Sequence, residues 1–340
     1  MMPLDTESTL KSIATPSVPT RKLAAAVIES FAAPDLERVA AQAGVPVDVL
    51  VAARDAFISA GTAAIHGLDR QQRWLQFSIS LGPDGWQRIV RSDIGTRIRV
   101  WLRDGPGRGF FFMHKEPGLR VRFCGVDDGC AGALREALDV FVAETTITAW
   151  TSGPYDAEVM QFGGATGLSL THQWFTAESL AVLEHHRLRL DGTARIGSEL
   201  FSLMLIDRLL RRLCDDWERW DVWCKLALTG RLVGDAAGAV DLSRSRATRL
   251  LLSHQARILG AAGEPERKMF ARYDTALDEL CPEIQAAVDA GRLLWGLREI
   301  LPFWMVFHWN RMAFDFETQK LLAATGAAAL SPKGTPEAVD

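Results

Sequence analysis

Apolar positions change their spacing twice along the chain. From about 20 to 66 an Ala- and Val-rich stretch repeats them every three or four residues, the spacing of amphipathic helices. Pro34-Asp35 reads as a helix start, and Gly44-Val45-Pro46-Val47-Asp48 as a break followed by another start. A polar linker, His66 to Gln72, follows. The period then shortens to two over Trp74 to Leu81, which ends at the Gly-Pro-Asp-Gly turn of 82–85. Ile98 to Leu102 reads as a further strand before the Gly-Pro-Gly loop of 105–107. Phe110–Met113 and Leu119–Phe123 read as a hairpin. Its Pro117-Gly118 pair suits the centre of a type II turn, with one fixed φ and one positive φ. Ala131 to Val142 reads as a helix and Ile147 to Trp150 as a strand, a β-α-β arrangement with the strand holding Val121. From about 172 the period is helical again, over 176–190, 198–228, 243–260, 264–290 and 296–325. Strands first and helices later predict an α+β fold: a small N-terminal helical subdomain, then a mixed-sheet domain with a mainly helical C-terminal half. Residues 1–19 and 327–340 carry no such period and read as disordered tails.

Composition narrows the class. The 340 residues suffice for a sizeable core. With 38 Lys and Arg against 42 Asp and Glu, the net charge of −4 speaks against direct nucleic-acid binding. Val39 to Val45 is similar to the first helix and turn of a helix-turn-helix. The helix that would read DNA, Val47 to Ser59, has Arg54 as its only basic residue, beside Asp48 and Asp55, so docking of protein or peptide is the better reading. No apolar run is long enough to span a bilayer and no signal-peptide core is present. Five cysteines without a C-x-x-C pair fit a reduced, cytoplasmic, metal-free protein. Eleven tryptophans against two tyrosines either build the core or line a peptide groove. There is no Gly-x-Gly-x-x-Gly, Walker loop, His-Glu-x-x-His or Gly-x-Ser-x-Gly, so no residue pattern calls for NAD, ATP, zinc or a serine nucleophile, and no cofactor is expected.

Candidate chemistry gathers in three places. Arg120 and Arg122 share one face of their strand, and two adjacent guanidiniums call for an anion between them, unless each is solvated or paired with its own acid. His114 faces the same hairpin turn. Glu158, Gln161 and Gly163-Gly164 follow the last strand; Glu158 can act as acid or base or, the better reading, orient Arg120 or Arg122, and the glycines allow close backbone approach to a ligand. His308 and Arg311 lie one turn apart on a helix beginning near Pro302, and the imidazole suits either proton transfer or a satisfied core position. The remaining histidines, His172 and the His185-His186 pair among them, show no spacing that marks a site.

Three segments, in order, resemble one family. Phe110–Phe123, Tyr155–Gly164 (Tyr-x-x-Glu-x-x-x-aromatic-Gly-Gly) and Phe307-His308-Trp309-Asn310-Arg311 are similar to the elimination domain of class I lanthipeptide dehydratases, also found alone as the thiopeptide-type bacteriocin biosynthesis family. The resemblance spans about 72 to 326. It implies a leader-bearing precursor peptide whose Ser or Thr has been glutamylated by a separate glutamyl-tRNA-dependent dehydratase, and β-elimination of glutamate to leave a dehydroamino acid. On that reading Arg120 and Arg122 meet the glutamyl carboxylates, His308 moves the proton, and Glu158 holds the arginines. His114, Gln161, Gly163 and Arg311 would contact substrate. The family's dehydratase-fused members commonly carry Arg where Gln161 stands. The resemblance also admits a pyridine synthase, joining two dehydroalanines with loss of the leader, and a non-catalytic precursor-binding scaffold.

Overall fold

The computed structural model describes residues 19–33, 35–72, 74–92, 94–105, 108–228 and 242–332, with the side chains of 63–72 and Leu242 left aside. The expected tails therefore fall mostly outside the described residues. The chain divides into two units, at Ile65–His66.

The first unit is helical: α1 (Thr20–Ser30), α2 (Leu36–Ala43) and the larger part of α3 (Val47–Gln72), whose last residues, from His66, fall in the second unit. Asp35 caps α2 by accepting from the Arg38 N–H, and Gly44 ends it with φ +64°. Val27, Val39, Val45 and Leu50 form a small core of their own. The expected linker 66–72 is helical, because nothing between 47 and 72 breaks the helix that the apolar period starts. Arg54, the lone base of the supposed reading helix, lies over the Phe31 ring at 5.2 Å.

The second unit opens with an antiparallel sheet, β1 (Trp74–Leu81), β2 (Gly109–Lys115), β3 (Gly118–Cys124) and β4 (Ile147–Gly153), in the order β2-β3-β1-β4. All neighbouring strands are antiparallel, so the sheet is not mixed in its pairing. The expected β-α-β arrangement is present in split form: α6 (Asp128–Ala143) joins β3 to β4, with β1 lying between them. The strand expected at Ile98–Leu102 belongs instead to α5 (Ile94–Arg103), which follows α4 (Gly85–Arg91). Ile94 and Ile98 are one helical turn apart and both face the sheet's apolar side, an i, i+4 spacing that the local β propensity concealed.

The hairpin turn also differs. Glu116 and Pro117 form its centre, joined by a cis peptide, and Lys115 pairs directly with Gly118. Gly118 is thus a strand residue. A Cβ there would stand 2.3 Å from the Ile79 carbonyl oxygen and 2.9 Å from the Leu81 nitrogen, so only glycine lets β3 approach β1. Gly118→Ala should lower stability by about 1–3 kcal/mol. Thermal denaturation checks this, and an unchanged melting point would count against it.

The C-terminal half is helical: α7 (Gly164–Leu190), α8 (Ser198–Leu213), α9 (Asp216–Leu228), α10 (Leu242–Ser253), α11 (Gln255–Ala261), α12 (Glu264–Asp289), α13 (Leu297–Arg311) and α14 (Phe316–Ala329). Three of the expected helices are pairs. Asp215 and Glu218 accept each other's backbone N–H, which starts α9 anew. Asp315 accepts from Thr318 to start α14, which continues through Ala329, into the stretch expected to be a tail. Pro302 lies inside α13 and does not open it. One large core joins the sheet to these helices, with Trp174 stacked on Trp304 at 4.9 Å. Most of its tryptophans are thus core residues, although Trp217 and Trp295 are exposed.

Candidate functional site

The strand register decides which side chains meet. Arg120 and Arg122 stand opposite Ser78 and Gln76 on β1, and opposite Met113 and Phe111 on β2. These residues form one face of the sheet. Leu119, Val121 and Phe123 face the other way, into an apolar hollow beneath α4, α5 and α6.

Arg122 is 6% exposed. Its guanidinium lies 4.9 Å from the Phe111 ring and 4.5 Å from the Tyr155 ring, and its Nε donates to Gln76 Oε1 at 2.7 Å. Gln76 is itself held, donating to the Pro154 carbonyl at 3.3 Å. The terminal nitrogens of Arg122 have no hydrogen-bond partner among the described residues, and neither does half-buried Arg120. Burial pushes the Arg122 pKa down from its ordinary value, Tyr155 and Glu158 oppose this, and Arg120 and Arg311 reinforce it. The arginines at 120, 122 and 311 therefore share one electrostatic neighbourhood.

Tyr155 completes the wall. Its hydroxyl lies 2.9 Å from His172 Nε2, and the His172 ring stacks on Phe111 at 5.6 Å. Burial raises the Tyr155 pKa, with Glu158 adding to the effect, so the phenol is protonated at neutral pH. Sequence spacing singled out neither His172 nor Gln76. Each reaches Arg122's surroundings from an element distant in the chain.

The other expected site residues fall elsewhere. Glu158 is exposed and forms no ion pair with either arginine; the Gln76 amide takes the orienting role expected of it, because β1 lies directly beside β3. His114 stands opposite Leu119 on the apolar face, edge-on to Trp86 at 4.6 Å, so it does not face the arginines. Gln161 is half-buried in the turn before α7. Gly163 and Gly164, at φ +81° and +86°, form a packed corner: added Cβ atoms would strike Ile300 and Leu294, and the Gly163 carbonyl accepts from the Leu294 N–H at 3.0 Å. Backbone geometry and packing against α13 explain these glycines without a ligand.

His308 and Arg311 are fully buried. One turn apart on α13, both reach one partner. His308 Nδ1 and Arg311 Nε bond the two carboxylate oxygens of Glu178 on α7. His308 Nε2 meets Ser202 Oγ of α8 at 2.8 Å, and Trp309 donates to the same hydroxyl at 3.1 Å. Arg311 also packs over Phe175 at 4.3 Å, and its terminal nitrogens find no partner among the described residues. With both ring nitrogens engaged and no exposed surface, His308 ties three helices, α7, α8 and α13, together.

A family model described as lantibiotic biosynthesis dehydratase C-term matches residues 74–329. The chain belongs to this family. Within the lantibiotic dehydratase C-terminal region lie the whole sheet, both arginines, Tyr155 and the Glu178 network. Among solved structures, the tRNA-dependent lantibiotic dehydratase MibB from Microbispora sp. 107891 is similar, with a TM-score of 0.58 and 19% identity over 75% of this chain. The chain spans 28% of MibB's length. TsrL matches with a TM-score of 0.46 and 17% identity, over 75% of this chain and 93% of that one. No curated protein matches in sequence. The family description ties the matched region to lantibiotic biosynthesis. Among the described residues no helix is long and apolar enough to cross a membrane.

Proposed function

We propose that the protein removes glutamate by β-elimination from glutamylated Ser or Thr of a ribosomally made precursor peptide, supplied by a separate glutamyl-tRNA-dependent partner. The supporting observation is Arg122: clamped by Phe111, Tyr155 and Gln76, with its terminal nitrogens free of partners among the described residues and Arg120 beside it. Such a rigid, desolvated fork suits a carboxylate.

In the elimination, the Cα proton leaves, its electron pair forms the Cα=Cβ bond, and the Cβ–O bond breaks to release glutamate. Arg120 and Arg122 hold the glutamyl carboxylates and the charge of the departing group. Tyr155 Oη takes the Cα proton as its own proton passes to His172 Nε2, so no free tyrosinate is needed. The Glu178–His308–Arg311 network keeps α7 and α13 in register behind this wall. The reading is tested with a glutamylated precursor peptide followed by mass. Arg122→Ala should slow glutamate loss by about 10- to 150-fold, the worth of a charge-assisted contact of about 1.5–3 kcal/mol, with folding retained. Full activity in that variant would remove Arg122 from the site. Loss of turnover in a stable His308→Gln protein, with His172→Gln fully active, would return proton transfer to His308.

A second reading, pyridine synthesis from two dehydroalanines with leader loss, draws support from Gln161, which leaves one cation fewer to grip a glutamyl carboxylate. Consumption of a bis-dehydroalanine precursor, with the glutamylated one untouched, would favour it. Tight binding of both without reaction would favour a scaffold.

A further inference from the structure

The face of the sheet turned away from the arginines is not fully packed. β1, β2 and β3 form the floor of a hollow of about 90 Å³, and α4, α5 and α6, with Leu183 of α7, form its roof. Voids larger than a water molecule are few in a packed interior, so a hollow of this size calls for an explanation. Val121 shows where the packing falls short. It stands on an inner strand, β3, between β2 and β1, yet it is only half-buried. So are residues that line the hollow from above, Ile94 of α5 and Leu134 and Phe141 of α6, while Ala137 of α6 is exposed. The two helices leave a slot over the strand. The chemistry of the lining narrows what can enter it. Carbon atoms alone form the surface, with no nitrogen or oxygen presented to the space. Water needs several polar partners to stay in such a place and finds none. A peptide strand would bury N–H and C=O groups without partners, at a cost that apolar contact does not offset. A charged or hydroxylated ligand meets the same penalty.

We propose that this hollow is a binding site for a small, uncharged apolar molecule, of the size of a single aromatic ring. Apolar cavities closed to water in this way stay dry and take up benzene or xenon. Six of the lining side chains are aromatic, Phe77, Trp86, Phe110, Phe112, Phe123 and Phe141, and they offer edges and faces to a ring. The volume suits one ring; a long acyl chain would not fit. The site stands apart from the elimination chemistry. Side chains alternate along β3, so Leu119, Val121 and Phe123 line the hollow while Arg120 and Arg122 lie on the opposite face. Failure of either reading leaves the other intact.

The test follows thermal unfolding of the full-length protein with benzene and, separately, with pyridine at neutral pH. The two rings have one shape, but the pyridine nitrogen needs a donor that the lining lacks. Titrated toward its solubility limit, benzene should raise the melting temperature by roughly 2 °C once it exceeds its dissociation constant about fivefold, and pyridine should raise it far less. Val121→Phe fills the hollow from the strand and should abolish the benzene shift. Ala137→Leu fills it from α6 and should weaken that shift; it is read alone if Val121→Phe melts well below the wild type. Arg122→Ala, on the other face of the sheet, should respond to benzene as the wild type does. Absence of a benzene shift in the wild type, an equal shift with pyridine, or a benzene shift undiminished by the filling substitutions would overturn the proposal. So would a shift that is lost in Arg122→Ala and kept in Val121→Phe.

Discussion

Glu178→Ala should destabilise the protein by about 3–5 kcal/mol, the cost of leaving a buried cation without its anion. Glu178, His308 and Arg311 are all fully buried, and Glu178 is the acid bonded to both of the others. Removing it strands the Arg311 guanidinium, whose terminal nitrogens already lack partners, and frees His308 Nδ1 as well. Glu178→Gln keeps the shape but not the charge, and should fall between Ala and wild type. The double variant Glu178→Leu/Arg311→Met removes both ions and should recover much of the loss, because the desolvation of each disappears with it. Chemical denaturation of the four proteins decides the matter. Wild-type stability in Glu178→Ala would show that the network contributes nothing. His308→Phe follows the same logic: it strands Glu178 Oε1 and removes one partner of Ser202, at about 1–3 kcal/mol per orphaned group.

Mild acid should lower the protein's stability before most carboxylates titrate. Burial lowers the pKa of His114 to about 4, that of His185 to about 3 and that of His186 to about 4, from an ordinary 6.5. The neighbouring histidines contribute second, His186 acting on His185 and His114 on His186. The folded state therefore holds these rings neutral, whereas the unfolded chain takes up their protons near 6.5. Their contribution is fully present above 6.5 and is lost as pH falls from 6.5 toward the folded values, since over that range the unfolded state binds more protons. At a displacement of about 1.4 kcal/mol per pKa unit, each histidine gives up roughly 2 kcal/mol by about pH 5. Denaturant midpoints at about pH 7.5 and pH 5 measure the sum. Equal midpoints would contradict the burial of these rings.

How much of this was legible in the chain can be argued residue by residue. The alternation of Trp74–Leu81 and of the hairpin placed β1, β2 and β3 correctly, since period-two patterning depends only on the strand's own residues. It also put Arg120 and Arg122 on one face, where the register has them. Breaks inside long helical stretches were legible only in part. The Asp215–Glu218 box and the Asp315 cap are local signals of the kind that ends one helix and begins another, yet the apolar period runs through them. Ile98–Leu102 reads as a strand because a five-residue stretch with β-branched Ile98 and Val100 and aromatic Trp101 fits either period.

What the chain alone determined, then, is element type over most of its length, the α+β class, and which side chains share a face. Those depend on local periodicity and on three ordered segments similar to one family. Tertiary structure decided which residues those faces meet. Gln76 is 46 residues from the Arg122 it orients, and Glu178 is 130 from His308 and 133 from Arg311. No local spacing encodes such partners. His308 has the same i, i+3 relation to Arg311 whether or not it ties three helices together, and only the packing of α7, α8 and α13 decided that it does. His172, without any spacing to recommend it, stands beside Tyr155 and Arg122 because α7 runs along β2. Burial and long-range contact are properties of the assembled fold, so they set the chemistry available to each side chain only after the helices and the sheet have met.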